Sequence, residues 1–348
     1  MSIDYSALFV PVTKDEVAQF KRESRLSAAP WAHSSPFSVG VKVAFGVFVA
    51  FFLFVFLSLA MPFMSGLFSG GPANAMLAAL WLVAIVAVIG LTVYRYLVAS
   101  SGRWEKLLRK ARFAAHNSLT YLPGQKGINY PGIIFGRGSD RRSTDNYLST
   151  GDQRFDIGNY QYTTGSDKNK TTHTWGYLAF QLERRLPHMV LDARKNNQLL
   201  ASNLPASFRR DQRLSLEGDF DRHFTLYCPR AYERDALYVF TPDLMALLID
   251  ESSSFDVEIV DDWMFVYSSE PFRLDDAATV SRLFRIINTV GAKARRQTDR
   301  YADERIGDPT IDLVAPQGTR LKSASTLAGI GVIVVVVWVL SSFVRAWF

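Results

Sequence analysis

Four polar side chains at every second position, Glu217, Asp219, Asp221 and His223, form the sharpest chemical constellation in the chain. Side chains on a β-strand alternate between its faces, so on a strand all four project from one side. Three carboxylates and an imidazole together could bind a divalent metal and activate water for hydrolysis. The other side would then carry Gly218, Phe220, Arg222 and Phe224, the inner face of a half-buried strand. Any solvated edge strand produces the same alternation. The solvated strand is the favoured reading, and the metal site stands as the alternative.

The remaining reactive residues form no pattern of this kind. His116, His173 and His188 have no paired metal-ligand spacing, and His173 falls in a polar loop tip. The one cysteine, Cys228, rules out an intramolecular disulfide and a cysteine-based zinc cluster. With His223 nearby it could act as a nucleophile, yet a lone cysteine more often packs as a small buried hydrophobe. G-x-S-x-G, P-loop and dinucleotide fingerprints are absent. Gly136-Arg137-Gly138 with Arg141 and Arg142 could hold phosphate but lacks the lysine and helix start of a P-loop. No catalytic residue and no cofactor is therefore expected.

The elements that must position these residues come from periodicity and end signals. Thr13-Lys14-Asp15-Glu16 is a capping-box pattern and predicts a helix from Lys14 to about Leu26. Trp104, Leu107, Leu108, Ala111 and Ala115 recur at helical spacing. Tyr160–Tyr162, Thr174–Phe180 and His188–Leu191 read as strands. Phe255–Val260 and Trp263–Tyr267 read as a hairpin turning at Asp261-Asp262. Thr241-Pro242 starts a helix through Leu244, Leu247 and Leu248. A longer helix is expected from about Asp276 to Asp303, with Val280, Leu283, Phe284 and Ile287 as its buried stripe. Strands followed by a closing helix imply an α+β domain with an antiparallel sheet.

Hydropathy adds an expectation of three transmembrane helices, at about Val43–Met64, Ala75–Val93 and Leu327–Val344. Each is an uncharged apolar run of roughly twenty residues, about what the hydrocarbon core requires. The first is too long, and begins too far along the chain, for a cleaved signal peptide. Basic residues flank the first pair and precede the third. This bias predicts a multi-pass inner-membrane protein with a cytoplasmic N-terminus and central domain and an external C-terminus. The expected organisation is a cytosolic N-terminal segment (1–36), a membrane hairpin (37–95), a juxtamembrane helix (96–116), a cytosolic α+β domain (117–305), a linker (306–324) and a terminal transmembrane helix (325–348).

Several residues have a familiar order: Leu216-Glu217, Phe220, Phe224 and Tyr227, then Ala236–Met245, then Trp263–Tyr267. With Ile128, Gly151-Asp152, Gly158, Tyr177 and Asp192 before them, the chain resembles an uncharacterised family of bacterial membrane proteins, the domain of unknown function 3137. The likeness covers roughly Asn117 to Tyr267. It implies a membrane hairpin joined to a cytosolic domain and a bacterial origin; it brings no activity with it, and the third span departs from it.

Net charge is a modest +6. Basic runs at Lys106–Arg112 and Lys293–Arg300 fit anionic headgroups of a bilayer at its cytoplasmic face. Acidic residues are interleaved with them and no aromatic stacking platform accompanies them, so nucleic acid is not an expected partner. The sequence thus leans toward a non-enzymatic binding or scaffold module with an unknown protein partner. A membrane-bound metal-dependent hydrolase and an accessory subunit of a larger membrane complex are the alternatives.

Overall fold

One strand of 23 residues organises the sheet. The computed structural model describes residues 2–26, 76, 83, 87, 90, 102–166, 169–197 and 202–324. The strands are β1 (Thr120–Lys126), β2 (Ser139–Ser149), β3 (Phe155–Thr164), β4 (Thr171–Ala193), β5 (Arg213–Leu214), β6 (Phe224–Tyr227) and β7 (Asp256–Ser268). All pair antiparallel in the order β1-β2-β3-β4-β6-β5, with β7 also on β4. The first half of β4 pairs with β3 and its last four residues pair with β6. β7 runs along β4 from Gly176 to Leu191.

A straight strand of that length would extend about 75 Å at about 3.3 Å per residue, more than a domain of this size can cover. The pair therefore breaks its register twice, between Gln181 and Leu186 and between Leu186 and Met189, opposite Asp261. Before the break, the even positions Leu178, Phe180 and Leu182 enter the first core; after it, the odd positions Met189, Leu191 and Ala193 do. β7 switches in the same way, from Val257 and Ile259 to Met264 and Val266. From Gln181 to Met189 β4 spends eight residues where β7 spends four, from Trp263 to Ile259, and both strands change parity there, which keeps one face apolar through the bend. Asp261 adopts φ 54°, a conformation Asp tolerates better than most residues. Arg320 grips its carboxylate through two hydrogen bonds of 3.1 and 2.9 Å. The expected hairpin at Asp261-Asp262 is thus one continuous strand with a bulge.

The first face is covered by helices. Ala277–Ile286 is capped by Asp276, which accepts from the Thr279 amide at 2.9 Å. It continues through a π-helical turn, Ile287–Gly291, into Ala292–Thr298. Val280, Leu283, Phe284 and Ile287 are buried as the helical spacing predicts, and Ile286 is buried beside them. Phe284 meets Phe155 edge-on at 5.6 Å and Phe113 at 6.0 Å. Pro242–Ser252 starts with its proline in the first turn, after Thr241. The second face carries a smaller core that includes Ile134, Phe135, Tyr160, Tyr177, Phe265 and Tyr267.

The chain divides into two compact units, Met1–Phe9 with Phe113–Phe348, and Val10–Arg112. In the second, Lys14–Leu26 is helical and its capping box is formed: Glu16 accepts from the Thr13 amide at 2.7 Å, and the Glu16 amide donates to Thr13 Oγ1 at 3.3 Å. Glu16 also pairs with Arg112 at 2.6 Å, and Phe20 meets Trp104 edge-on at 6.3 Å.

The expectation of three transmembrane helices is corrected. Among the described residues no helix is long and apolar enough to cross a membrane. The runs Val43–Met64, Ala75–Val93 and Leu327–Val344 lie outside the described residues, apart from Met76, Val83, Ala87 and Gly90. An apolar run of the right length is necessary for a span, but crossing also requires a continuous helix, and the described residues supply none. The multi-pass inner-membrane placement, with its cytoplasmic N-terminus and external C-terminus, falls with the spans it was built on. The structure shows an antiparallel, sheet-rich α+β fold.

Because Phe284 is fully buried between two aromatic neighbours, Phe284→Ala should cost about 3–5 kcal/mol. Urea unfolding followed by circular dichroism checks this; a loss below about 1 kcal/mol would show that this helix does not anchor the first core.

Candidate functional site

The segment holding Glu217, Asp219, Asp221 and His223 is a turn followed by one turn of helix, Phe220–His223, so the period-two projection from one face does not occur. Gly218 provides the turn at φ 73°. Asp221 closes it, accepting from the Leu216 amide at 3.2 Å and from the Ser215 hydroxyl. His223 Nε2 lies 3.8 Å from Asp219 Oδ2, while Glu217 is exposed. Among the described residues no group of three or more His, Cys, Asp or Glu is placed to hold a metal ion. Cys228 is buried in the first core, and burial pushes its thiol up to about 12. That thiol is no nucleophile at neutral pH.

Chemistry gathers instead on the second face of the sheet, where the bulged pair places acidic residues in the interior. Glu258 on β7 is 1% exposed. Its carboxyl oxygens meet His188 Nε2 at 2.8 Å, the Tyr267 hydroxyl at 2.7 Å and the Ile133 amide at 2.7 Å. His188 Nδ1 accepts from the Leu321 amide at 2.9 Å, which places the ring proton on Nε2, facing Glu258. Three donors therefore converge on one buried carboxyl. Losing any of them would leave polar atoms unsatisfied in the core, at about 1–3 kcal/mol each. Asp156 on β3 is arranged in the same way, accepting from Asn146 at 2.8 Å, Tyr177 at 2.8 Å and Tyr130 at 3.1 Å. Burial raises its carboxyl above the usual range, and the three donors partly offset this. These two clusters lock 128–135 onto the sheet.

A third acidic cluster is less complete. Asp192 is the penultimate residue of β4 and Asp256 the first of β7, each one position beyond the paired Leu191 and Val257. Both are buried. Asp256 accepts from the Ala193 amide at 2.8 Å and from Asn196 Nδ2 at 3.1 Å. Burial pushes its carboxyl up to about 7, and the neighbouring Asp192 adds to the rise. The Asn203 amide lowers it in part without a hydrogen bond of ordinary geometry. Asp192 is also raised by burial. Asp192 Oδ1, Asn196 Oδ1 and both polar side-chain atoms of Asn203 are buried with no hydrogen-bond partner.

Beside this cluster a depression of about 530 Å³ opens, lined in part by Arg137, Tyr162, Thr164, His173, Trp175 and Asn203. The His173 ring stacks on Tyr162 at 4.9 Å and its Nε2 bonds Thr164 Oγ1 at 2.8 Å. Arg137 is held by its Nε–H, which donates to the Ile133 carbonyl at 2.7 Å. Among the described residues its guanidinium has no carboxylate partner. Gly138 has φ 56°, and a Cβ there would lie 2.2 Å from the Thr163 carbonyl oxygen, so only glycine lets the chain pass this close to β3. The Gly136-Arg137-Gly138 segment thus presents one cation beside aromatic walls.

Of the acidic residues on this face, the sequence reading singled out only Asp192, and that in a resemblance. Their signal was present in Asp256-Val257-Glu258-Ile259, where acidic and apolar residues alternate. In a hairpin that pattern puts the carboxylates in solvent, and only the cover laid over the second face makes them interior.

No protein-family model matches the chain, and no curated protein matches it. Among solved structures, the mycobacterial trehalose monomycolate transport factor A aligns at 12% identity over 53% of this chain and 92% of its own, with a TM-score of 0.35. A likeness at that score carries no argument about this chain.

A carboxyl raised to about 7 in the folded chain, against about 3.9 when unfolded, binds its proton more tightly in the fold. The stability it contributes is complete below about pH 4 and is lost as the pH rises through 7, with a slope of up to about 1.4 kcal/mol per pH unit. Asp256→Asn should remove this component. Urea titrations from pH 5 to 8 in EDTA should show wild type losing stability relative to the variant; parallel curves would refute the assignment.

Proposed function

We propose that the α+β unit is a non-enzymatic binding module, and that its ligand is an anion with a planar or apolar body seated in the depression beside Arg137. The observation that carries this reading is the Arg137 guanidinium, half-buried without a carboxylate partner and facing the same space as the unpartnered Asn203 amide. A half-buried cation gains most from a ligand that brings the opposite charge. Tyr162, His173 and Trp175 supply flat apolar walls, and Thr164 and Asn203 supply polar contacts, the usual composition of a small-molecule site. The walls are built on the paired ends of β3 and β4, and the Asp156 and Glu258 clusters hold the segment that delivers Arg137. The hydrolase reading needed Glu217, Asp219, Asp221 and His223 on one strand face; their turn-and-helix geometry gives it no support.

Benzoate is a suitable probe because it joins a carboxylate to a planar ring. Titrated into the 15N-labelled full chain in EDTA, it should shift the Trp175 indole N–H signal saturably, that signal being identified by its loss in Trp175→Phe. Arg137→Ala should weaken the apparent affinity at least tenfold, since a charge-assisted pair contributes about 1.5–3 kcal/mol. An indole signal unmoved by tens of millimolar benzoate, or one moved equally in Arg137→Ala, would reject this reading.

A further inference from the structure

We infer that Asp192 and Asp256, with the amide oxygens of Asn196 and Asn203, form a site for a hard divalent cation of the calcium class. The inference goes beyond the anion-binding reading and does not depend on it. Its starting point is an unfinished hydrogen-bond account. Interior polar atoms almost always find partners, and each exception calls for a physical reason. Around the other two buried carboxyl clusters the donors nearly match the acceptors: Glu258 has three, and so does Asp156. At the end of the β4–β7 pair the balance is different. Asp192 is 6% exposed and Asp256 0%, yet Asp192 Oδ1 has no partner. Asn196 Oδ1 and Asn203 Oδ1 have none either, and all three are oxygens.

What this place lacks is a paired positive charge. The side chains that face it include Asp192, Asp256, Asn196, Asn197, Ser202 and Asn203, with Tyr227 on β6 beside Asp192. Asn197 and Ser202, and more weakly the exposed Arg194, lower the Asp192 carboxyl against the effect of burial, but no Lys or Arg forms an ion pair with either carboxylate among the described residues. Two adjacent buried carboxylates repel, and burial penalises the charge of each. A hard cation meets both needs at once. It prefers carboxylate and amide oxygens, tolerates irregular geometry and takes six or more ligands, water included. Asn196 now turns its Nδ2 toward Asp256 at 3.1 Å; rotation of that amide would offer Oδ1 in its place. Sulfur and imidazole donors are absent from the set, which disfavours zinc. With two carboxylates and neutral oxygens, the affinity belongs in the range of roughly 10⁻⁴–10⁻³ M found where ligand charge is low.

The place in the fold gives such an ion a mechanical consequence. Asn196 and Asn197 leave β4, and Asn203 returns to the sheet with its backbone amide donating to Asn197 Oδ1 at 3.2 Å. A cation between these residues and the β7 end would tie both limbs of that connection to the sheet.

The test is thermal unfolding of the full chain at pH 8 after EDTA treatment and dialysis, with calcium chloride alone as the probe. At about ten times the dissociation constant, the midpoint should rise by roughly 3–6 °C. Sodium chloride of equal ionic strength should not reproduce the rise. Asp192→Asn should abolish it. Asn196→Ala, a half-buried loop position where folding is not at stake, should weaken calcium binding several-fold in isothermal titration. No calcium-specific rise in the wild type, or an equal rise in Asp192→Asn and Asn196→Ala, would overturn the site. The benzoate titration is run in EDTA, so failure of either reading leaves the other standing.

Discussion

The fold depends on how two antiparallel strands bend without losing the apolar identity of one face. A strand alternates strictly, so a single inserted residue sends every later side chain to the opposite side. β4 and β7 both invert at the same level, near Leu186 and Asp261, β4 with four more residues than β7 across the bend, and the two inversions match. The first face stays apolar from Leu178 to Ala193 although the sequence changes parity halfway. The bend also lets one strand serve two partners in turn, β3 along its first half and β6 at its end. Segments that follow the helix Ala292–Thr298 hold the bulge in place. Arg184 donates to the carbonyls of Tyr301 and Pro309, and Asp312 accepts from the Arg185 amide. Arg320 closes on Asp261. The 301–324 stretch, featureless by periodicity, is the clamp of the sheet.

The same inversion explains why acidic residues end up inside. Past the bulge, the positions opposite to Met189 and Leu191 are His188, Val190 and Asp192, and on β7 they are Asp256, Glu258 and Val260. Left uncovered, this face would be an ordinary solvated side. The chain covers it with 128–135 and 321–324, so the polar groups had to be matched by donors or become sources of strain. Glu258 and Asp156 are matched by tyrosine hydroxyls, backbone amides and an oriented imidazole. Such clusters contribute little net stability compared with an apolar core of the same shape. They do fix direction: Ile133 donates to Glu258 with its amide and holds Arg137 with its carbonyl, so the buried carboxyl and the cation at the rim of the depression share one residue.

Local signals were readable where neighbours in sequence decide the outcome. The Thr13–Glu16 box, the start at Thr241-Pro242 and the stripe of Val280, Leu283 and Phe284 depend on residues three or four apart, and each forms as expected. Signals that depend on distant partners were not readable. Asp261-Asp262 looks like a turn because turns and bulges both need a residue that accepts positive φ; only the Arg320 contact and the register across β4 separate the two. Glu217 to His223 alternates as a strand would, but Gly218 reverses the chain and Asp221 is consumed in closing that reversal. The apolar runs expected to span a membrane were read from hydropathy and lie outside the described residues apart from Met76, Val83, Ala87 and Gly90.

The depression and the acidic cluster escape a sequence reading for a shared reason. Each is assembled from residues far apart in the chain, brought together by the bent pair: Arg137 from before β2, Tyr162 from β3, His173 and Trp175 from β4, and Asn203 from the connection after it. Asn203 belongs to both, lining the depression while lying beside Asp256. A polar residue with two unpartnered atoms, between a cation that has no carboxylate partner among the described residues and two adjacent buried carboxylates, is costly to retain for packing alone. The donors around Asp156 and Glu258 show that this face can match a buried carboxyl when rigidity is all that is required. The places where it leaves them open are therefore the places to look for a ligand.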